Sequence, residues 1–274
     1  MIAIIAVLIG LLMPALVGAR SQGAKAKCLS NLRQIVKTAI EYANDDPKST
    51  FGPVHPEADN WWGEGYAQYG GGPGESPLMN WDEVFDPRTR AFNTIIYGAD
   101  GVVANTMPGD HGEFQLFQCP GDEYGWQAWP GFDPPIIEAG GSSHEVEASY
   151  YKANGTSFRM NNLSWDDHVI GGVYGRPISR IPNTAETIGF MECRALQTLR
   201  TNDVWEGPGM LESGELTGYH KKLGFFNLAF CDGHAAFLDM GFGTFHPRLE
   251  TFDNRNVRGT WGRMDCLPDE LYPD

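Results

Sequence analysis

Basic side chains are scarce in this chain: 20 Lys+Arg stand against 35 Asp+Glu, for a formal net charge of −15. The shortage is uneven. Residues 1–48 hold six basic residues and three acidic ones, which leaves 14 against 32 for the rest. An acidic body of this kind repels phosphate backbones and anionic lipid, which argues against nucleic acid as a partner. Catalytic signatures are missing too. H-E-x-x-H and H-x-x-x-H are absent, G-x-S-x-G is absent, and Gly241-Phe242-Gly243 stands without the rest of a nucleotide-binding glycine motif. No catalytic residue is therefore assigned, and an enzyme is not expected. The five cysteines, Cys28, Cys119, Cys193, Cys231 and Cys266, show no C-x-x-C spacing. Their odd count leaves one unpaired in an oxidising compartment.

Polar side chains are wholly lacking from Met1 to Ala19, and the first charge is Arg20. An apolar run of this length falls in the range of roughly 17–25 residues that spans a bilayer. A secretory signal peptide would begin with basic residues, and none precedes this run. Beyond it, Cys28, Leu29, Leu32, Ile35, Val36, Ala39 and Ile40 recur at helical steps, while Lys25, Lys27, Arg33, Lys37 and Glu41 occupy the other face. That amphipathic continuation argues against removal of the segment. The pattern predicts one helix over 1–46, lipid-facing or filament-facing first and one-sided afterwards, on the order of 60 Å long.

Residues 47–274 form the acidic body. Asp45-Asp46-Pro47 stops the helix, and the stretch 47–140 is rich in Gly, Pro and aromatic residues and reads as an irregular insertion. Within it, Trp81–Phe85 reads as a short helix and Asn93–Tyr97 as a strand. Its aromatic density has two readings. Rings supply a core where aliphatic residues are few, or Trp61, Trp62 and Trp81, with Asp59, Glu64, Glu75 and Asp82, form a glycan-binding face.

The stretch 141–274 reads as sheet. Phe114–Cys119 leads into it as a strand before the Cys119-Pro120-Gly121-Asp122 turn, and Ala148–Tyr151 and Thr187–Cys193 follow. Phe225–Cys231 and Ala235–Leu238 flank Asp232-Gly233-His234, a strong hairpin signal because glycine tolerates the positive φ of such turns. Glu192, His220, Asp232 and His234 are residue types that bind metals or move protons. The simpler reading is that Asp232 caps its own turn and His220 bonds nearby backbone. The other is a cation such as Ca²⁺ held through Asp232, since calcium prefers oxygen.

Ile2 to Leu16, Ala19-Arg20, Lys27-Cys28-Leu29-Ser30-Asn31-Leu32-Arg33-Gln34-Ile35 and Tyr42-Ala43-Asn44-Asp45 together resemble type IV pilin-like proteins and type II secretion pseudopilins. The chain is most similar to the bacterial group with a prepilin-type amino terminus and a carboxy-terminal His…Asp-Gly motif. His220, Asn227, Asp232, Gly233 and His234 fit that motif, as do the Cys119-Pro120 and Ser149-Tyr150 steps and the strand before Cys193. The chain departs from the pattern in two places. Eleven residues separate His220 from Asp232, against nine in the family. The basic leader, processing glycine, phenylalanine and glutamate are not in the sequence, so Met1 falls where the family's helix is already under way, and this chain as it stands is not a peptidase substrate.

The resemblance implies an α+β, pilin-like fold: a long amino-terminal helix packed on a small antiparallel sheet, with the large irregular insertion. It implies a disulfide between Cys28 and Cys119. Cys193 with Cys231 is the second pairing, and buried thiols remain the alternative. Calcium in the carboxy-terminal loops of some pseudopilins adds to the Asp232 reading. The expected role is structural, a pseudopilin or minor pilin-like subunit of a bacterial envelope filament or secretion apparatus. It would be anchored once in the inner membrane with its body outside, although Arg20, Lys25 and Lys27 taken alone would favour the cytoplasm for that end. Its partners would be the membrane and other pilin-like subunits. Ile4, Ile5, Leu8, Leu11, Leu12 and Leu16 would pack the assembly, with Pro14 permitting local opening of the helix. A membrane-tethered glycan-binding protein, with polysaccharide as partner, is the alternative.

Overall fold

One helix organises the structure. The computed structural model describes residues 2–53, 69–72, 86–104, 114–122, 149–161, 164–165, 169–170, 172–193, 195, 218–220, 222, 225–239, 244–246 and 251–253. Helix α1, Ile2–Asp45, runs 44 residues and passes through Pro14 within a single helical segment. Pro14 has no N–H to donate to the Gly10 carbonyl, so the helix passes this point without that bond. The two halves of α1 meet different surroundings. Leu12, Met13, Leu16 and Val17 are 64, 57, 67 and 68% exposed, whereas Cys28, Leu32, Ile35, Val36 and Ala39 are fully buried. Those five recur at helical steps, so one face of the second half is turned into the core. Burial of each aliphatic side chain contributes about 1.5–3 kcal/mol. Among the described residues, no helix is long and apolar enough to cross a membrane. The expected assembly positions Ile4, Ile5, Leu8 and Leu11 lie outside the described side chains.

The surface that receives α1 is an antiparallel sheet. Helix α2 (Ala91–Ala104) and helix α3 (Tyr150–Asn154) precede strand β1 (Phe158–Met160). The short strands β2 (Ser164–Trp165) and β3 (Val169–Ile170) pair with each other. Strands β4 (Ile188–Glu192), β5 (Phe225–Phe230) and β6 (Ala235–Asp239) complete the main sheet in the order β1-β4-β5-β6. Strands β7 (Thr244–His246) and β8 (Thr251–Asp253) form a separate pair. In β5 the alternation of side chains is complete: Phe226, Leu228 and Phe230 join a cluster on one face, and Ala229 joins the α1 core on the other. A register irregularity between Ile188 and Phe190 lets Phe190 join the α1 core while Ile188 and Met191 join the opposite cluster. The architecture is α+β, a long helix on a small antiparallel sheet.

Aromatic rings fill the space between α1, α2 and the sheet. Tyr69 lies edge-on to Phe92 and Phe190 at 5.5 and 5.1 Å, and its hydroxyl donates to the Phe158 carbonyl at 2.8 Å. This part of the aromatic-rich insertion is core. Trp61, Trp62 and Trp81, and the acidic residues grouped with them, lie outside the described residues.

Three expected elements take another form. Asn93–Tyr97 belongs to helix α2 rather than to a strand, because Phe92, Asn93, Ile96 and Tyr97 turn inward at helical spacing. Gln115–Phe117 is a single 3₁₀ turn. Its geometry is fixed by tertiary partners: Asn31 of α1 donates to the Gln115 and Gln118 carbonyls at 3.1 and 2.9 Å, and Leu116 and Phe117 are both buried. Tyr150 and Tyr151 open the short helix α3, capped by the Ser149 hydroxyl, which accepts from the Lys152 amide at 3.1 Å, and closed by Gly155 in the left-handed conformation. By contrast β4, β5 and β6 fall where the apolar runs and the Asp-Gly turn placed them.

Candidate functional site

At one end of the sheet the α1-facing surface turns from apolar to polar. Glu192 ends β4, and Asn227 lies beside it on β5 where Ala229 would continue as apolar core. Both are fully buried. Glu192 Oε1 accepts from the Asn227 side-chain amide at 2.6 Å and from its backbone N–H at 3.1 Å, while Oε2 accepts from the Tyr219 N–H at 2.9 Å. These donors satisfy a carboxyl that burial otherwise penalises. Burial still dominates and pushes its pKa up to about 7.

Above this pair sit two sulfurs and an imidazole. Cys28 comes from the buried face of α1, Cys119 from the turn after the 3₁₀ segment, and His220 from the loop entering β5. Cys28 Sγ, Cys119 Sγ and a His220 ring nitrogen all lie within 4.8 Å of one another. Cys119 Sγ is 3.5 Å from His220 Nε2, and the same nitrogen is 3.8 Å from Glu192 Oε1. The cluster is closed to solvent: Cys28 is 0% and Cys119 1% exposed, and the side chain of His220 is 4% exposed. Burial raises both thiol pKa values. Burial, with Lys25 as a lesser cause, lowers that of His220 to about 4, so the imidazole is neutral at pH 7.

Glycine shapes the walls. A Cβ at Gly121 would meet the Tyr219 carbonyl oxygen at 2.8 Å and the His220 ring at 3.1 Å, so the Cys119-Pro120-Gly121 turn can lie against His220 only without a side chain there. The Gly121 N–H also donates to Cys119 Sγ at 3.4 Å. Asp122 then ties the turn to the rest of the fold, accepting from the Tyr150 and Tyr151 N–H groups at 3.0 and 2.8 Å and from the Ser157 hydroxyl at 2.7 Å.

The sequence motif does not form one site. His220 and Asn227 lie at the Glu192 end of β4, whereas the Cys231 N–H donates to the Thr187 carbonyl at its other end. The Asp232-Gly233 turn follows directly, with Gly233 at φ 100°. There Asp232 Oδ1 accepts from the His234 N–H at 3.0 Å and lies 2.6 Å from His234 Nδ1, and the His234 ring stacks on Phe230. The Asp232 carboxylate is thus engaged within its own hairpin. His220, for its part, faces a sulfur and a carboxylate rather than a backbone group.

The cysteines need a similar correction. Cys28 and Cys119 are brought together as the resemblance implied, but as free thiols. Cys193 and Cys231 are not joined to each other, and the second pairing is overturned by the sheet. Cys193 follows Glu192 while Cys231 bonds Thr187, so the length of β4 separates them. At about 3.3 Å per residue that is far beyond the 7 Å a disulfide can bridge. Cys266 lies outside the described residues.

No family model, curated protein or solved structure matches this chain. The candidate site therefore rests on its own geometry. A thiol, an imidazole and a carboxylate suggest a nucleophile with its base and orienting group, but in such a relay the sulfur and the carboxylate bond opposite ring nitrogens. Here both approach Nε2 of His220, at 3.5 and 3.8 Å. The arrangement converges on a point between the side chains instead of passing a proton along them. The residues that sequence reasoning left out are Gly121 and Gly218, whose added Cβ would lie 2.6 Å from Glu192 Oε2. The steps Cys119-Pro120-Gly121 and Gly218-Tyr219-His220 were the available signals.

Proposed function

We propose that the chain is a structural subunit of a bacterial envelope filament or secretion-like apparatus, a pseudopilin or minor pilin-like protein with a pilin-like fold. It acts through its amino-terminal helix, with the acidic body outside the inner membrane. The observation that carries this reading is the division of α1: Leu12, Met13, Leu16 and Val17 stand more than half exposed on a helix whose second half is locked into the core. Exposed apolar surface continuous along a helix needs lipid or other helices to cover it. A rigid connection through Cys28 to Ala39 would transmit the position of that helix to the body. The acidic excess of the body, 14 basic against 32 acidic residues beyond position 48, keeps the bodies of neighbouring subunits apart.

The test is assembly of the full chain in lipid. Leu12→Glu combined with Leu16→Glu should abolish association between copies while leaving the thermal unfolding of the body unchanged. Association that survives both charges would contradict the reading.

A further inference from the structure

Cys28, Cys119 and His220 bring three donor atoms within 4.8 Å of one another, and Glu192 Oε1 lies 3.8 Å from the His220 nitrogen. In a tetrahedral zinc site with Zn–S near 2.3 Å and Zn–N near 2.0–2.1 Å, a sulfur and a nitrogen ligand stand about 3.6 Å apart. Cys119 Sγ and His220 Nε2 stand 3.5 Å apart. Glu192 Oε1 is 3.8 Å from the same nitrogen, and the two sulfurs lie within 4.8 Å of each other. We infer that these four side chains form a structural zinc site that staples α1 to the sheet, with Cys28, Cys119 and His220 as ligands and Glu192 as the fourth.

Donor chemistry selects the ion. Two sulfurs and an imidazole favour zinc over calcium or magnesium, which take oxygen. Binding releases the two thiol protons, and any proton held by Glu192, to solvent. Two thiolates and a carboxylate around Zn²⁺ leave one net negative charge, which the Asn227 and Tyr219 N–H groups that donate to Glu192 help to stabilise. Four protein donors leave no open position for a substrate, which marks a structural rather than a catalytic centre. The surroundings suit a metal thiolate. The Gly121 N–H already points at Cys119 Sγ at 3.4 Å, and Asn227 holds Glu192 in place. Asn227 Oδ1, fully buried beside the cluster, has no hydrogen-bond partner among the described residues. The ligands come from four separate segments, so the ion would link the helix, the Cys119 turn, β4 and the loop before β5. This inference does not depend on the filament reading, since all four residues lie in the buried core and none in the exposed first half of α1.

The test uses the full chain, purified in detergent under reducing conditions and titrated with cobalt(II) and zinc. Cobalt should bind one per chain with a thiolate charge-transfer band and the visible bands of a tetrahedral ion, and zinc should displace it. Cys28→Ser, Cys119→Ser and His220→Ala should each lose that band, Cys193→Ser and Cys231→Ser should keep it, and Glu192→Gln should weaken binding about 10–100-fold. For the wild-type chain, which needs no variant to fold, zinc-edge X-ray absorption should show two sulfur neighbours. A reduced, folded chain that takes up no metal would overturn the proposal, as would a zinc shell of nitrogen and oxygen alone. A Cys28–Cys119 disulfide that forms in the cell and blocks uptake would overturn it as well.

Discussion

The side-chain amide of Asn227 donates to Glu192 Oε1 at 2.6 Å, joining β5 to β4 in the one polar patch among the described α1-facing residues of these strands. Glu192 is fully buried, and Asn227 supplies two of its three hydrogen-bond donors. Asn227→Ala removes the stronger of the two and leaves a buried carboxyl short of a partner. The expected cost is about 1–3 kcal/mol, read from urea unfolding. A change below a few tenths would mean that the patch does not hold the strands together.

The halves of α1 should respond differently to truncation. Leu32 is fully buried against the sheet, and Leu32→Ala should cost about 2–5 kcal/mol through lost transfer energy and a residual cavity. Leu16 is 67% exposed, so Leu16→Ala should leave the unfolding midpoint of the body unmoved. Equal effects at the two positions would contradict the division of the helix.

Glycine substitutions discriminate in the same way. Gly121→Ala forces the Tyr219 carbonyl or the His220 ring to move and should destabilise by about 1–3 kcal/mol. At Gly23, within α1, an added Cβ meets nothing within 4 Å, and Gly23→Ala should stabilise by about 0.5–1 kcal/mol through helix propensity. Thermal melts of the two variants should therefore shift in opposite directions.

The end of α1 carries a pH dependence of known sign. Asp46 Oδ2 accepts from the Thr50 N–H and hydroxyl, both at 2.8 Å, and these bonds with Thr50 first among them lower its pKa. A depressed carboxyl contributes stability that is present above its unfolded pKa, about 3.9, and is lost as pH falls through the lower folded value. The protection factor of the Thr50 amide should fall over that acid range in the wild type, and Asp46→Ala should remove the acid-dependent step.

The covalent framework gives a further check. Non-reducing peptide mapping of the folded chain should recover no Cys193–Cys231 crosslink, because β4 lies between them. Its recovery would require a different strand order.

These elements show where the sequence was readable. Helix α1 and strands β4 to β6 were legible because apolar spacing over many residues has one period, and Asp232-Gly233 fixes a turn by the φ of its glycine. The segments at Gln115–Phe117 and Tyr150–Asn154 were not, since three to five residues fit either period and tertiary partners decide. There, Asn31 draws the Gln115 and Gln118 carbonyls to α1, and Ser149 caps a turn of helix. The candidate site was half legible. Cys28 and Cys119 were grouped through the resemblance, but Glu192 and His220 were grouped with Asp232 and His234, which lie at the far end of the strand. Side chains joined only by folding leave no spacing to read.

The proposed role turns on whether the exposed apolar half of α1 packs against other copies. The direct measurement is photocrosslinking in the bacterial envelope from a benzoylphenylalanine placed at Leu16, with the same probe at Glu41, which is exposed on the second half of the helix, as a control. The proposed packing predicts adducts between α1 segments of two copies from position 16 and not from position 41. Adducts from both positions alike, or none from position 16, would contradict it.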